Sequence, residues 1–315
     1  TVIIGGEVSI LGGNARNGQG RFIIAEADES DGSFLKLNSY IAVVTNIEDD
    51  HLDYYGTEEN IYKAFKQFLG NLVEGGKAIL CVDNAKVKAL AQEIDKEVIT
   101  YGLEAADYVA KDICYGVDGT TYKLYHKDEF VTEVRLIVPG RHNVLNSVGA
   151  FVAAREMGIA DETILKALEQ FGGAKRRFET KGKVNGVWVV DDYAHHPTEI
   201  EVTLKAARQT QPKRLLCLFQ PHRYTRTQLL FKEFCNCFND CDEVILTDIY
   251  AASENPIPGI TSEALAEGIS KATGKAVTYI AKLPKAEEYL EAKATAGDLI
   301  LTVGAGDVFK VGEEL

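Results

Sequence analysis

Short apolar runs rich in β-branched residues recur along this chain, and each stops abruptly at a cluster of polar or charged side chains. Such runs read as buried parallel strands, because a strand covered on both faces has no solvent face on which to alternate polar residues. Residues 22–25, 42–46, 78–82, 187–191, 215–219, 244–247 and 299–303 fit this description. Segments of helical periodicity lie between them, at 59–71, 85–95, 144–157, 161–170, 197–208, 227–238, 262–272 and 284–294. The alternation predicts an α/β protein of mostly parallel sheets covered by helices. One stretch departs from it. Residues 108–138 alternate in polarity between turn signals at Gly116, Asp118-Gly119 and Lys127-Asp128, which predicts a few antiparallel strands at a sheet edge.

At 315 residues the chain can build two ordinary cores. The best boundary is Gly172-Gly173-Ala174-Lys175-Arg176-Arg177-Phe178, two flexible glycines before a basic cluster. Domains are therefore expected at 1–174 and 175–315. Just after the boundary, Asn185-Gly186 between apolar residues predicts a hairpin. A net charge of −13 with no basic tail argues against nucleic-acid binding. Basic residues gather only at 175–177 and 222–226, which suits a small anionic ligand. No apolar run is long enough to cross a bilayer and no basic-then-apolar leader is present, so a cytoplasmic location is expected. The six cysteines match no zinc spacing; those at 235, 237 and 241 sit in a helical pattern and read as buried free thiols.

The chemistry gathers at the ends of the apolar runs. Glu26-Ala-Asp-Glu-Ser-Asp31 follows one, and Thr45-Asn-Ile-Glu-Asp-Asp-His51-Leu-Asp53 follows another. Two neighbouring strands delivering carboxylates and an imidazole into a crevice would make a hard-cation site suited to magnesium and phosphates; the alternative is a solvated acidic loop. A third run enters Asp191-Asp192-Tyr-Ala-His195-His196-Pro197, with Pro197 placed to open a helix. A fourth enters Gln220-Pro-His222-Arg223-Tyr-Thr-Arg226. Histidines 51, 142, 195, 196 and 222, five of the six, lie in such strand-end or helix-start clusters. Gly304-Ala305-Gly306 after the last run lacks a third glycine and a helix behind it, so it reads as a tight turn before a dinucleotide loop.

These segments resemble the Mur ligase family. The matching motifs are E-A-D-E-S-D-G-S-F (26–34), T-N-I-E-D-D-H-L-D (45–53), G-R-H-N-V-L-N (140–146), R-R-F-E (176–179), D-D-Y-A-H-H-P-T-E (191–199) and F-Q-P-H-R-Y-T-R-T (219–227), in the family's order. The resemblance implies a central ATP- and magnesium-binding domain followed by a Rossmann-like C-terminal α/β domain. The double histidine and the P-H-R-Y-T-R segment favour the member that joins L-alanine to UDP-N-acetylmuramate in building cell-wall precursors. That reaction is ATP-dependent amide formation through an acyl phosphate. A murein tripeptide ligase and a non-catalytic binding module are the alternatives.

Carried over residue by residue, Glu26 and His51 match the family's magnesium ligands at the ends of adjacent strands. His142, Asn143 and Asn146 match the nucleotide segment, with Asn146 on adenine and helix capping as a second role for Asn143. Arg177 matches the linker arginine near the nucleotide, and Asp192 the acid that binds ribose hydroxyls. His195, Arg223 and Arg226 face the reacting phosphate and carboxylate groups, although a solvated basic helix start would also account for the two arginines. Lys66 is expected to stay a plain surface lysine. Residues 14–18 read as a substrate-side loop. The family's G-K-T phosphate loop is expected to precede residue 1, because Gly75-Gly76-Lys77-Ala78 lacks the hydroxyl residue and runs into a strand. On that reading the chain is a piece of a longer ligase, inactive alone.

Overall fold

The computed structural model describes residues 1–48, 51–116 and 119–315. Asp49, Asp50 and Asp118, which belong to sequence patterns noted above, lie outside them. The chain divides into two compact units, Thr1–Phe171 and Gly172–Leu315.

The first unit holds β1 (Val2–Val8), β2 (Gly13–Arg16), β3 (Ile24–Ala25), β4 (Ile41–Val44), α1 (Leu52–Tyr55), α2 (Glu58–Gly70), β5 (Lys77–Cys81), α3 (Ala85–Leu90), β6 (Glu97–Gly102), β7 (Tyr108–Gly116), β8 (Gly119–His126), β9 (Glu129–Leu136), α4 (Arg141–Glu156) and α5 (Asp161–Gln170). A six-stranded sheet runs in the order β4-β5-β6-β7-β8-β9. It is parallel from β4 to β7 and then turns antiparallel, as the alternation in 108–138 predicts. Helix α2 starts cleanly because the Thr57 hydroxyl accepts the Asn60 amide and Glu58 and Glu59 face the positive end of the helix dipole. One apolar cluster joins Phe34, Phe68 and Leu69 to β4 and β5; another joins Tyr101, Tyr122 and Phe151 around α4. Gly149 on α4 makes the second possible, since a Cβ there would lie 2.9 Å from the Tyr101 hydroxyl oxygen.

Two expectations for this unit fail. The segments bearing Glu26 and His51 do not leave adjacent strands. Strand β3 pairs with β1 in a separate three-stranded sheet ordered β2-β1-β3, whereas β4 belongs to the large sheet. The physical cause lies in residues 28–36: Asp28 and Asp31 accept the Ser30 and Ser33 amides, and a turn of 3-10 helix at Ser33–Lys36 follows. This folding turns the chain away after only two strand residues. Residues 14–18 are also not simply a loop, because Gly13–Arg16 forms β2, with Ala15 and Arg16 opposite Ile3 and Val2.

The second unit holds β10 (Glu179–Val184), β11 (Val187–Asp192), α6 (Pro197–Gln209), β12 (Leu215–Phe219), α7 (Tyr224–Leu229), α8 (Phe231–Asn236), β13 (Glu243–Leu246), α9 (Ser262–Thr273), β14 (Ala276–Tyr279), α10 (Leu283–Lys293), β15 (Leu299–Val303) and α11 (Phe309–Glu314). Its sheet runs β10-β11-β15-β12-β13-β14. All strands are parallel except β10, which joins β11 through the Asn185-Gly186 turn, both residues at positive φ. The expected helix over 227–238 is two short helices broken at Leu230. Phe231 and Cys235 dock against the bare Cα of Gly268 on α9, and that docking sets α8 apart from α7. Cys217, Cys235, Cys237 and Cys241 are buried free thiols in this core.

The topology places the candidate residues. Asp192 pairs with Val303, and Val303 with Phe219, so β11, β15 and β12 end side by side. Everything that follows those strands opens at the carboxyl edge of the sheet, where open α/β folds bind ligands.

Candidate functional site

In the first unit, a cleft of about 250 Å³ opens at the carboxyl ends of β4 and β5 against the start of α4. It is lined by Thr45, Asn46, Glu48, Cys81, Asp83, Asn84, Arg141, His142, Leu145 and Asn146. The 45–53 and 140–146 motifs, far apart in sequence, therefore meet here. Helix α4 starts from Gly140 at φ 103° with no side-chain cap. Asn143 does not cap it; its amide donates to the Pro139 carbonyl at 2.7 Å. Asp83 organises the cleft floor by accepting the Leu103 amide at 2.9 Å and pairing with Arg141. Gly102 is required beside it, because a Cβ would meet the Asp83 carboxylate at 2.3 Å.

Sequence reasoning missed Asp83 and Asn84, and it gave Arg141 no role of its own within the 140–146 motif. Asp83-Asn84 carries the same signal as the other sites, a polar pair closing an apolar run, but Asn84 also caps α3 and reads as ordinary helix punctuation. Lys77 opens β5 bridging Glu97 and Glu156 at 2.9 and 2.7 Å, an ion-pair staple and no phosphate loop. Lys66 pairs with Glu93 at 2.7 Å.

Glu26 and His51 lie in separate loops of this unit. Glu26 is exposed and accepts the Gly5 amide at 2.6 Å. His51 sits at φ 56°, and its Nε2 is 3.5 Å from Glu29. Hydrogen bonds from Ser30 and Ser33 hold the Asp28 and Asp31 carboxyls below their ordinary range. Among the described residues, no group of three or more His, Cys, Asp or Glu is arranged to hold a metal ion by itself.

In the second unit the strand-end loops are tied down by their own side chains. After β11, Asp192 accepts the Ala194 and Phe178 amides, both at 2.8 Å. Burial pushes its carboxyl up to about 6 despite those bonds. Glu199 accepts the His195 and His196 amides, and the His196 ring accepts the Thr198 amide, a reciprocal cap that starts α6 with Pro197 at its first position. His195 is thereby held with its Nδ1 3.0 Å from the Tyr193 carbonyl, and burial lowers its basicity. After β12, His222 stacks on Tyr250 with ring centroids 5.5 Å apart and planes 9° from parallel. Its Nδ1 is 3.1 Å from Arg226. Burial, then the charges of Arg226, His195 and Arg223, drop His222 to about 4, so it is neutral at physiological pH.

The His195 and His222 rings stand 6.2 Å apart. Arg223 caps α7 at φ 70° and leaves its side chain exposed, whereas Arg226 is half-buried. Arg177 is exposed, its guanidinium 5.9 Å from the Tyr193 ring centroid. After β15, Gly304 at φ 147° and Gly306 make the expected tight turn against Gln220 and Tyr250, where a Cβ would overlap both, but a helix does follow it, α11 from Phe309, contrary to expectation. The arrangement can present neutral imidazoles and guanidinium groups to an anionic substrate.

Tyr250, Gln220 and Glu199 were not singled out from sequence. Glu199 was recoverable as the third residue after the His196 cap; Tyr250 carried no local signal.

Comparison with known proteins gives a consistent result. Residues 11–154 match the Mur ligase middle domain and residues 176–306 the Mur ligase, glutamate ligase domain. The UDP-N-acetylmuramate–L-alanine ligase of Desulforamulus reducens is 50% identical over the whole chain, which spans 69% of that protein. The crystal structure of UDP-N-acetylmuramate-alanine ligase from Thermotoga maritima superposes with a TM-score of 0.83 at 27% identity, covering all of this chain and 67% of that one. The fold is shared too with MurF ligase from Thermotoga maritima in complex with ADP, at a TM-score of 0.73 and 20% identity over 95% of this chain and 69% of that one.

Proposed function

The chain belongs to the Mur ligase family, and from that premise we propose that it serves the ATP-dependent joining of L-alanine to UDP-N-acetylmuramate, in the cytoplasm, for peptidoglycan synthesis. The observation that carries this reading is the 50% identity, end to end, with a ligase named for that reaction. Among the described residues, no helix is long and apolar enough to cross a membrane.

In the proposed reaction the lactyl carboxylate attacks the γ-phosphorus of ATP and ADP departs. The amine of L-alanine then attacks the acyl carbon, phosphate leaves, and the amine gives up a proton. The first unit is assigned to the nucleotide. His142 and Asn146 line the cleft, and the Asn146 amide offers both a donor and an acceptor to a base edge. Asn143 fixes the start of α4 through Pro139. Arg177 and Asp192 are assigned to the phosphate and ribose side, with Asp192 also setting the loop backbone through Phe178 and Ala194.

Glu26 and His51 are assigned to magnesium. A carboxylate and an imidazole fit a cation that takes few protein ligands and completes its shell with water and phosphate oxygens. When bound, that ion would neutralise the charge gathering on the transferred phosphoryl group. His195 with its lowered basicity is neutral near pH 7 and suited to accept the amine proton. Arg223 and Arg226 are suited to hold carboxylate or phosphate oxygens.

The test is phosphate release, with ATP and magnesium, by the purified full-length protein that contains this sequence. Release that requires both UDP-N-acetylmuramate and L-alanine supports the reading. Release driven by L-alanyl-D-glutamyl-diaminopimelate in place of L-alanine would move it to the tripeptide ligases. Ligand binding without turnover would leave a binding module.

A further inference from the structure

Arg176, whose neighbour Arg177 drew the functional assignment, has the denser set of contacts. Its Nε is 3.0 Å from Asp191, a carboxylate with no exposed surface that also accepts the Thr302 hydroxyl at 2.6 Å. Its two terminal nitrogens donate to the carbonyls of Gly306, at 3.3 Å, and Gly304, at 2.5 Å. The guanidinium also lies between two rings, 4.9 Å from the centroid of Tyr193 and 4.6 Å from that of Phe309. Its backbone is held as firmly, with the amide bonded to Glu179 and the carbonyl accepting the Tyr193 amide.

Two chains of contact leave this guanidinium and meet again. On one side Tyr193 packs edge-on against His195, centroids 5.3 Å apart. On the other, the Gly304–Gly306 turn is pinned so that Gly306 sits directly against Tyr250, where even a Cβ would come within 2.8 Å of the ring. Tyr250 is stacked on His222, and His222 faces His195 at 6.2 Å. The circuit Arg176, Tyr193, His195, His222, Tyr250, Gly306 and back to Arg176 therefore closes on itself within one unit. We infer that Arg176 is a positioning residue that sets the spacing and orientation of the His195 and His222 imidazoles through Tyr193 on one side and the Gly304–Gly306 turn on the other. The inference deepens the proposed function, since those imidazoles belong to its acceptor side.

Lysine cannot replace this arginine. It keeps a positive charge for Asp191, but a single ammonium cannot reproduce the planar fork that serves a carboxylate and two carbonyls at once, nor stack between two rings. Arg176→Lys is thus the informative variant, with Arg214→Lys as its control. Arg214 makes a forked pair with the equally buried Asp298 at the opposite edge of the same sheet, far from the imidazole pair in the topology.

The ring-proton resonances of the histidines would be followed by NMR in both variants, without substrates. Arg176→Lys is expected to shift the His195 and His222 resonances together while leaving His126 in place; Arg214→Lys is expected to lose comparable stability and shift neither. The inference is overturned if Arg176→Lys leaves both imidazoles unmoved, or if Arg214→Lys moves them as much. Kinetics gives a second arm, in which Arg176→Lys should lower turnover roughly 100-fold with little change in the KM for ATP. A fall in turnover with unmoved imidazole resonances overturns the positioning role. If the unsubstituted protein shows no ligation, the proposed function fails while the resonances still decide this one.

Discussion

The two strand-end sites use the same topological idea with opposite electrostatics. In the first unit the cleft at β4, β5 and α4 is held by a largely buried Asp83 and an Arg141 that is 58% exposed, so the cation of the pair remains in water. In the second, Asp191 and Asp192 are almost wholly inside the protein, and Arg176 is 20% exposed. A solvated cleft can adapt to a ligand at small cost. Interior charges cannot, since each must be matched at fixed geometry or its burial goes uncompensated. That contrast fits the roles proposed above, a ligand-recognising cleft in the first unit and fixed positions for reacting groups in the second.

The comparison is most easily broken at the arginines. Arg176→Met, which strands the Asp191 charge inside the second unit, should lower its unfolding free energy by about 3–5 kcal/mol in denaturant titrations. A loss no larger than that of a surface variant would mean the interior network is weak.

The next effect is a pH signature. Asp192 has a folded pKa of about 6, above its ordinary value of 3.8, so the folded state holds the extra proton between those values and stability falls as pH rises through the window. His222 has a folded pKa of about 4, below its ordinary 6.5, so there the unfolded state holds the extra proton and stability rises with pH. Asp191, raised, acts with Asp192; His195, lowered, acts with His222. The two pairs oppose each other, and stability should be nearly flat from about pH 4 to about pH 6. Asp192→Asn should tilt that curve upward with pH and His222→Gln downward, the first by on the order of 2 kcal/mol across the window. Identical slopes in the two variants would refute the opposition.

In the first unit Gly102→Ala drives a methyl into Asp83 and should cost about 1–3 kcal/mol with weaker ATP binding by calorimetry; unchanged binding would remove Asp83 from the cleft's organisation. The smallest effect is Arg141→Met, expected to cost about 1 kcal/mol or less because the guanidinium is solvated. A larger loss in thermal melts would erase the contrast between the units.

Much of this was legible beforehand because a covered parallel strand announces itself as an apolar run and its end as a polar cluster. The runs at 215–219 and 299–303 became β12 and β15 without change, and their ends carry His222 and Gly304. The pairing of β3 was not legible: Ile24 and Ala25 are too short a run to declare which sheet they join, and the turns at Asp28 and Asp31 decide it. Motif position singled out Arg177, but nothing in the sequence gave Arg176 a role of its own. Only the fold shows that one reaches inward to Asp191 and two carbonyls while the other stays outside. Tyr250 was invisible for a similar reason, because its role depends on what the Gly306 turn brings to it.

That turn has a consequence for how the sequence can drift. At Gly306 even the smallest side chain collides with the Gln220 amide and the Tyr250 ring, and at Gly304 with the Gln220 backbone. A library randomised at both positions and selected for growth should therefore return glycine at each. Gly259, with open space around its Cα, should accumulate asparagine and aspartate instead. The acceptor side would then be guarded by two positions that contribute no side chain.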